Sequence, residues 1–387
     1  MIILKCPEIR FKNDDGNNYP NWEDKKLDNV FKFYKGKGIS KIELSEEGIP
    51  CIIYGELYTK YREVIGVVKS KTNIKKELLF MSEIGDILIP SSGETQKDIA
   101  TASTVMEKNV ALGGDINILR SKETINSPYV SYYLKHIKNI EISKLSQGNS
   151  VVHLYSKQLS NLKIEIPSLE EQQKIGDFFM LLDKRIEQQE QKIALLKDYK
   201  KAMMQKIFSQ KIRFKDDNGN DYPDWEEKKL GKICRVKSSQ LTNNVVEEIG
   251  KYPVYGANSI VGYTENYEVN KYVSIVKDGA GVGRIAFINN KSSVLGTLQY
   301  LIGIEITTEF LYVLLSNVNF KLYQTGTTIP HIYFKDYSKM IIDIPCQLEQ
   351  EKISSFLFAM DLNLENQEAI LNNLKEQKQG LLRKMFV

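Results

Sequence analysis

The 387-residue chain is poor in the residues that build metal and redox centres. It has three histidines and four cysteines (Cys6, Cys51, Cys234 and Cys346), with no C-x-x-C pair. That spacing suggests neither a zinc site nor a disulfide framework, so free thiols in a cytoplasmic protein are the expectation. No apolar run approaches the length of a membrane span. The opening MIILKCPEIRF meets a proline and a glutamate at once and lacks the apolar stretch of a signal peptide. Charge of one sign is missing too, because 53 basic residues face 49 acidic ones and leave a net charge of +4. Such a balance permits a polyanionic partner only where basic residues cluster. The chain has no G-x-S-x-G, P-loop or H-E-x-x-H motif. No catalytic residue and no metal ligand is expected.

What the chain does have is repetition. RFKNDDGNNYPNWEDKKL (Arg10–Leu27) returns as RFKDDNGNDYPDWEEKKL (Arg213–Leu230), with thirteen of eighteen positions identical. Each copy holds one of the two tryptophans, Trp22 and Trp225. A second match, at an offset of 178 residues, starts QGNSVVHLYSKQLSNLKIEIP at Gln147 and TGTTIPHIYFKDYSKMIIDIP at Thr325. It runs on to Phe208 and Phe386. The chain is thus two tandem halves whose ends agree and whose middles diverge. A period near 200 residues means duplicated domains, not a solenoid.

Each half ends in a heptad pattern. Ile175, Phe179, Leu182, Ile186, Gln189, Ile193, Leu196, Lys200, Met203 and Ile207 follow steps of four and three. Ile353, Leu357, Met360, Leu364, Gln367, Leu371, Leu374, Lys378, Leu381 and Met385 repeat the series. A seam this narrow predicts coiled-coil helices rather than ordinary core helices. Pro167 and Pro345 mark the helix starts, and acidic residues follow in the first turns. Each helix should span roughly 60 Å at about 1.5 Å per residue. Halves related by a two-fold axis would pair the helices antiparallel. One register places Gln189 opposite Lys378 and Lys200 opposite Gln367, isolating the polar seam residues in two layers.

The middles are strand-rich. GDILIP (85–90) and KYVSIVK (271–277) read as buried strands, with helices following near 128–140 and 309–323. The stretch DGAGVGRI (278–285) fails the dinucleotide fingerprint, because Arg284 stands where the third glycine should be. It reads as a tight turn in a sheet, with Arg284 available for phosphate or guanine. His153 and His331 occupy matching slots and suit support of the joint between head and helix. His136 falls in a predicted helix with no role assigned. Basic residues alternate with aromatics in FKFYKGK (31–37) and LYTKYR (57–62). A solvated strand explains either run alone; with duplicated heads on a long spacer, nucleic acid gains ground.

Four features in order, each occurring twice, carry a family resemblance: the W-E-x-K-K-L passage (Trp22–Leu27, Trp225–Leu230), a divergent head, the G-x-x-x-x-H-[LI]-Y-x-K joint, and I-P before a heptad helix. The chain resembles the specificity subunits of type I restriction-modification systems. The resemblance implies an α+β fold of two tandem, pseudo-two-fold related halves, each a strand-rich target recognition domain followed by a long helix, with the helices forming an antiparallel coiled coil. The expected division is an N-terminal segment 1–27, a first target recognition domain 28–165, a first helix 166–210, a connector 211–230, a second target recognition domain 231–343 and a second helix 344–387. It also implies that each head reads one half of an asymmetric bipartite site in double-stranded DNA. The helices would set the spacer and dock two adenine-N6 methyltransferase subunits, and two restriction subunits could join. S-adenosylmethionine, ATP and magnesium would sit on those partners and not on this chain.

Candidate DNA contacts in the first head are Lys35, Lys37, Lys60, Arg62, Ser91, Ser92, Gln96 and Lys97. In the second they are Tyr255, Asn258, Lys277, Gly281, Arg284 and Thr297, with Gln147, Asn149, Thr327 and Thr328 beside the joint glycines. Two rival readings remain at this point. One is a coiled-coil scaffold whose heads bind protein rather than DNA. The other is an enzyme whose DGAGVG loop holds a nucleotide or S-adenosylmethionine.

Overall fold

The computed structural model describes residues 7–148 and 151–386. Two compact units divide the chain: Met1–Gln191 with Ala369–Val387, and Lys192–Glu368. Each long helix, Leu169–Phe208 and Gln347–Met385, is shared between the units.

Among the described residues, the first unit holds two five-stranded sheets. One is ordered Phe31–Lys35, Ile116–Ser121, Ile87–Pro90, Ser103–Val105 and Val64–Ile65. Ile87, Leu88 and Ile89 are wholly buried, which is why this run reads as continuously apolar. The other sheet is built of strands two to four residues long. Helix Ser127–His136 covers the core, capped by Asn126, whose side chain accepts from the Tyr129 N–H.

The second unit has a four-stranded sheet ordered Cys234–Ser238, Leu298–Gly303, Tyr272–Val276 and Ile285–Ile288, and a three-stranded sheet beside it. Helix Thr308–Ser316 is capped by the Thr307 hydroxyl, which accepts from Phe310 N–H. The helix expected near 309–323 thus ends at Ser316, and a separate 3-10 turn follows at Phe320–Tyr323.

The long helices pair antiparallel within each unit. In the first, Phe179 near the start of one helix stacks on Phe386 just past the end of the other at 5.6 Å. In the second, Ile207 shares a core with Ile353 and Leu357. The heptad seam is the buried face: Ile175, Phe179, Leu182, Ile186, Ile193 and Ile207 on one helix, Ile353, Leu357, Leu364 and Met385 on the other. Lys378 Nζ lies 2.6 Å from Asp183 and 3.3 Å from Glu63. Lys200 pairs with Asp361. The positions are duplicates, because adding 178 turns Asp183 into Asp361 and Lys200 into Lys378. Both lysines make these ion pairs with acids that stand off the heptad seam.

Candidate nucleic-acid interface

The repeated passage clamps each head to a long helix. Arg10 donates from Nε and Nη2 to the two oxygens of Glu171, at 2.9 and 2.7 Å, and Trp22 Nε1 donates to Glu171 at 3.2 Å. Arg213 and Trp225 bind Glu349 in the same way, at 3.3, 2.8 and 3.0 Å. Both carboxylates are wholly buried in the first turn of their helices. The indoles pack edge-on against Tyr129 and Phe386 in the first unit and against Phe208 and Phe310 in the second. A four-residue strand just before each head pairs with the strand leading into the helix: Glu23–Lys26 with Lys163–Ile166, and Glu226–Lys229 with Ile341–Ile344. These residues are structural, which frees the divergent heads to carry recognition.

The joint loops are alike. Gln147 and Thr325 exchange backbone hydrogen bonds with His153 and His331. His153 Nδ1 lies 3.1 Å from Ser92 Oγ, and His331 Nδ1 lies 2.7 Å from Asp278. Gly148 and Gly326 have φ of +116° and +86°, which a side chain rarely adopts. Gln147, Thr327 and Thr328 are exposed on these loops, whereas Asn149 lies outside the described residues.

In the second head, the structure gathers the predicted residues. DGAGVG is the turn between antiparallel strands Tyr272–Val276 and Ile285–Ile288, as the failed nucleotide fingerprint suggested. It is pinned to the joint, with Gly279 N–H donating to Pro330 O and Ile332 N–H to Lys277 O, both at 2.9 Å. Thr297 O accepts from Lys277 N–H. Arg284 is exposed and donates to Asn258 Oδ1 and, at 3.3 Å, to Ala257 O. A cavity of about 320 Å³ beside it is lined by Tyr255, Asn258, Ser274 and Arg284. Gly281 shapes the turn by accepting from Arg284 N–H.

The first head is more scattered. Lys37 is exposed, and Lys35 lies 4.0 Å from Asp115, with the two side chains 62% and 50% exposed. Gln96 and Lys97, also exposed, line a cavity of about 620 Å³ with Thr101, Lys135 and Asn139. Other candidates are committed elsewhere. Lys60 donates to Glu56 at 2.6 Å, and Arg62 pairs with Glu190 at 2.7 Å on the long helix. Ser91 and Ser92, at 6% and 5% exposure, lie beneath the surface rather than on it. Ser92 belongs to a short strand, Ser92–Gly93, paired with Val152–His153, and Ser91 O accepts from Leu154 N–H.

Sequence reasoning missed one cluster. His136 Nε2 bonds to the buried Glu63, which Lys135 and Lys378 also approach. Burial would push the Glu63 carboxyl up. The His136 hydrogen bond and the lysine charges outweigh it and hold the group well below the usual carboxylate range. Burial pushes the thiols of Cys51 and Cys234 up to about 11 and about 12, away from the reactive thiolate form. Among the described residues there is no metal-ligand cluster, and no helix is long and apolar enough to cross a membrane.

The type I restriction modification DNA specificity domain matches residues 19–198 and again 222–376, one match for each head and its helix. The chain belongs to this family. It is a specificity subunit with two tandem target recognition domains. A specificity subunit of the type I restriction enzyme MjaVIII from Methanocaldococcus jannaschii is 24% identical over 99% of this chain and 96% of its own length. A putative type I specificity subunit of Mycoplasma genitalium is 24% identical over 96% of this chain and 95% of its own. The crystal structure of a type I restriction-modification S subunit from M. genitalium shares the fold, with a TM-score of 0.69, 20% identity and 99% coverage of both chains. The match to a DNA specificity domain favours DNA over the protein-binding scaffold.

Proposed function

We propose that each head of this specificity subunit reads one half of an asymmetric bipartite site in double-stranded DNA, and that the paired helices set the spacer and dock two adenine-N6 methyltransferase subunits. Two restriction subunits join the same assembly. S-adenosylmethionine, ATP and magnesium belong to those partners, which carry the chemistry. The observation that carries this reading is the combination of duplicated joints with unlike heads. Arg10, Trp22 and Glu171 repeat as Arg213, Trp225 and Glu349. The sheets they carry differ in strand number, order and length. Equal joints with unequal heads fit two different half-sites.

Within the heads, the exposed candidates include Lys35, Lys37, Lys60, Gln96 and Lys97 on the first and Asn258, Arg284 and Thr297 on the second. The test is co-expression with the cognate methyltransferase subunit and mapping of methylated adenines. A two-part motif with unlike halves is expected. Methylation without a bipartite motif, or a duplex affinity that does not fall with salt, contradicts the proposal.

A further inference from the structure

We infer that Arg284, held by Asn258, reads a guanine in the half-site of the second head, and that the first head reads its half-site without arginine. This rests on the DNA-recognition reading above. Four arginines lie in the heads: Arg62 and Arg120 in the first, Arg235 and Arg284 in the second. Both first-head arginines are neutralised. Arg62 is bound to Glu190 at 2.7 Å and lies 3.6 Å from Asp183. Arg120 forks onto Asp86 from Nε and Nη2, at 2.8 and 2.7 Å, and reaches Glu83 with Nη1 at 2.6 Å. Its guanidinium also lies over the rings of Tyr34 and Phe80. Arg120 has its donors committed to carboxylates, and the charge of Arg62, 39% exposed, is balanced by two of them.

The second head differs. Among the described residues, neither Arg235 nor Arg284 has a carboxylate partner. Arg235 pairs with Ile302 at the end of the sheet away from Val276, whose partner is Leu298. Arg284 stands at the loop end, where the cavity opens. Its backbone is fixed on both sides: its N–H donates to Gly281 O at 3.0 Å, and its carbonyl accepts from Val276 N–H at 2.9 Å. Its side chain is oriented through Nη1 by Asn258 Oδ1 and Ala257 O. A neutral amide orients a guanidinium without cancelling its charge. Nε and Nη2 remain as two parallel donors, the spacing that matches guanine O6 and N7. The same fork also fits two phosphate oxygens, and the salt slope measured below separates the two. Asn258 acts through Arg284 and is a positioning residue.

The experiment maps methylated adenines for the complex of this chain with its methyltransferase subunits, in wild type, Arg284→Lys, Arg284→Ala and Asn258→Ala. In parallel, the salt dependence of duplex binding is measured. The expected result is a G·C pair in one half-site whose discrimination falls about ten- to a hundredfold in both Arg284 variants, even where lysine keeps the charge. Asn258→Ala relaxes the same position less. The other half-site stays unchanged in all three, which also shows that the variants fold and assemble. Arg62→Lys and Arg120→Lys leave base preference intact. Uniform weakening across all sites, with a shallower salt slope and unchanged preference, makes Arg284 a phosphate contact and overturns the inference. So does an unchanged motif, or a changed preference in the Arg62 or Arg120 variants. If the wild-type complex itself shows no bipartite motif, the functional reading fails rather than this assignment.

Discussion

Glu171 and Glu349 are carboxylates with no exposed surface, each held by an arginine fork and an indole N–H. Removing one leaves a guanidinium facing a buried gap. Glu349→Ala should therefore cost about 3–5 kcal/mol, seen as an earlier midpoint in denaturant unfolding of the full chain. Glu349→Gln, which can still accept from the indole, should cost less. Gly326→Ala is expected to be harmful for another reason. Its φ is +86°, and an added Cβ would lie 2.4 Å from Ile329 O. The penalty should exceed about 1 kcal/mol and fall on the joint loop. The repeated tryptophans and glycines were legible in the sequence. Their partners were not, because Glu171 and Glu349 look like ordinary first-turn acids that favour a helix N-terminus. Only the fold brings Arg10 and Arg213 across more than a hundred residues to meet them.

At the scale of the elements, the heptad seam was readable from period alone, and the buried positions follow it. Its ion pairs were not readable, since Asp183, Asp361 and Glu63 stand off the seam. The two duplicate pairs differ in burial. Lys378 and Asp183 are 9% and 13% exposed, against 23% and 33% for Lys200 and Asp361. Lys378→Ala should cost about 3–5 kcal/mol, and Lys200→Ala under about 1 kcal/mol; chemical denaturation of the two variants compares them. Glu63 adds a pH dependence. Its folded-state pKa lies below the unfolded value of about 4.3. Its contribution is therefore complete above the unfolded value and is lost as pH falls through the acid range. Trp22 fluorescence in a Trp225→Phe background should report a first unit that weakens below about pH 4. Glu63→Gln should flatten that slope. The sheets of the heads were the least legible elements. Strands of two residues, such as Val64–Ile65 and Ala111–Leu112, are too short to show an alternating pattern.

The whole molecule is two units with equal joints and unequal heads. That asymmetry was visible from the start, in matched ends and unmatched middles. Which head residues face a ligand was not, because burial of Ser91 and Ser92 and the pairing of Arg62 depend on folding. If the helices act as a ruler, deleting one heptad from each should shorten the recognised spacer by a few base pairs, since a helix rises about 1.5 Å per residue. An unchanged spacer contradicts the ruler. The most direct test of the central claim is an exchange of residues 28–147 for the corresponding head of another specificity subunit. Methylated adenines are then mapped in the assembled complex. The account predicts a motif in which one half changes and the other half stays as it was. A motif that changes in both halves, or in neither, would contradict it.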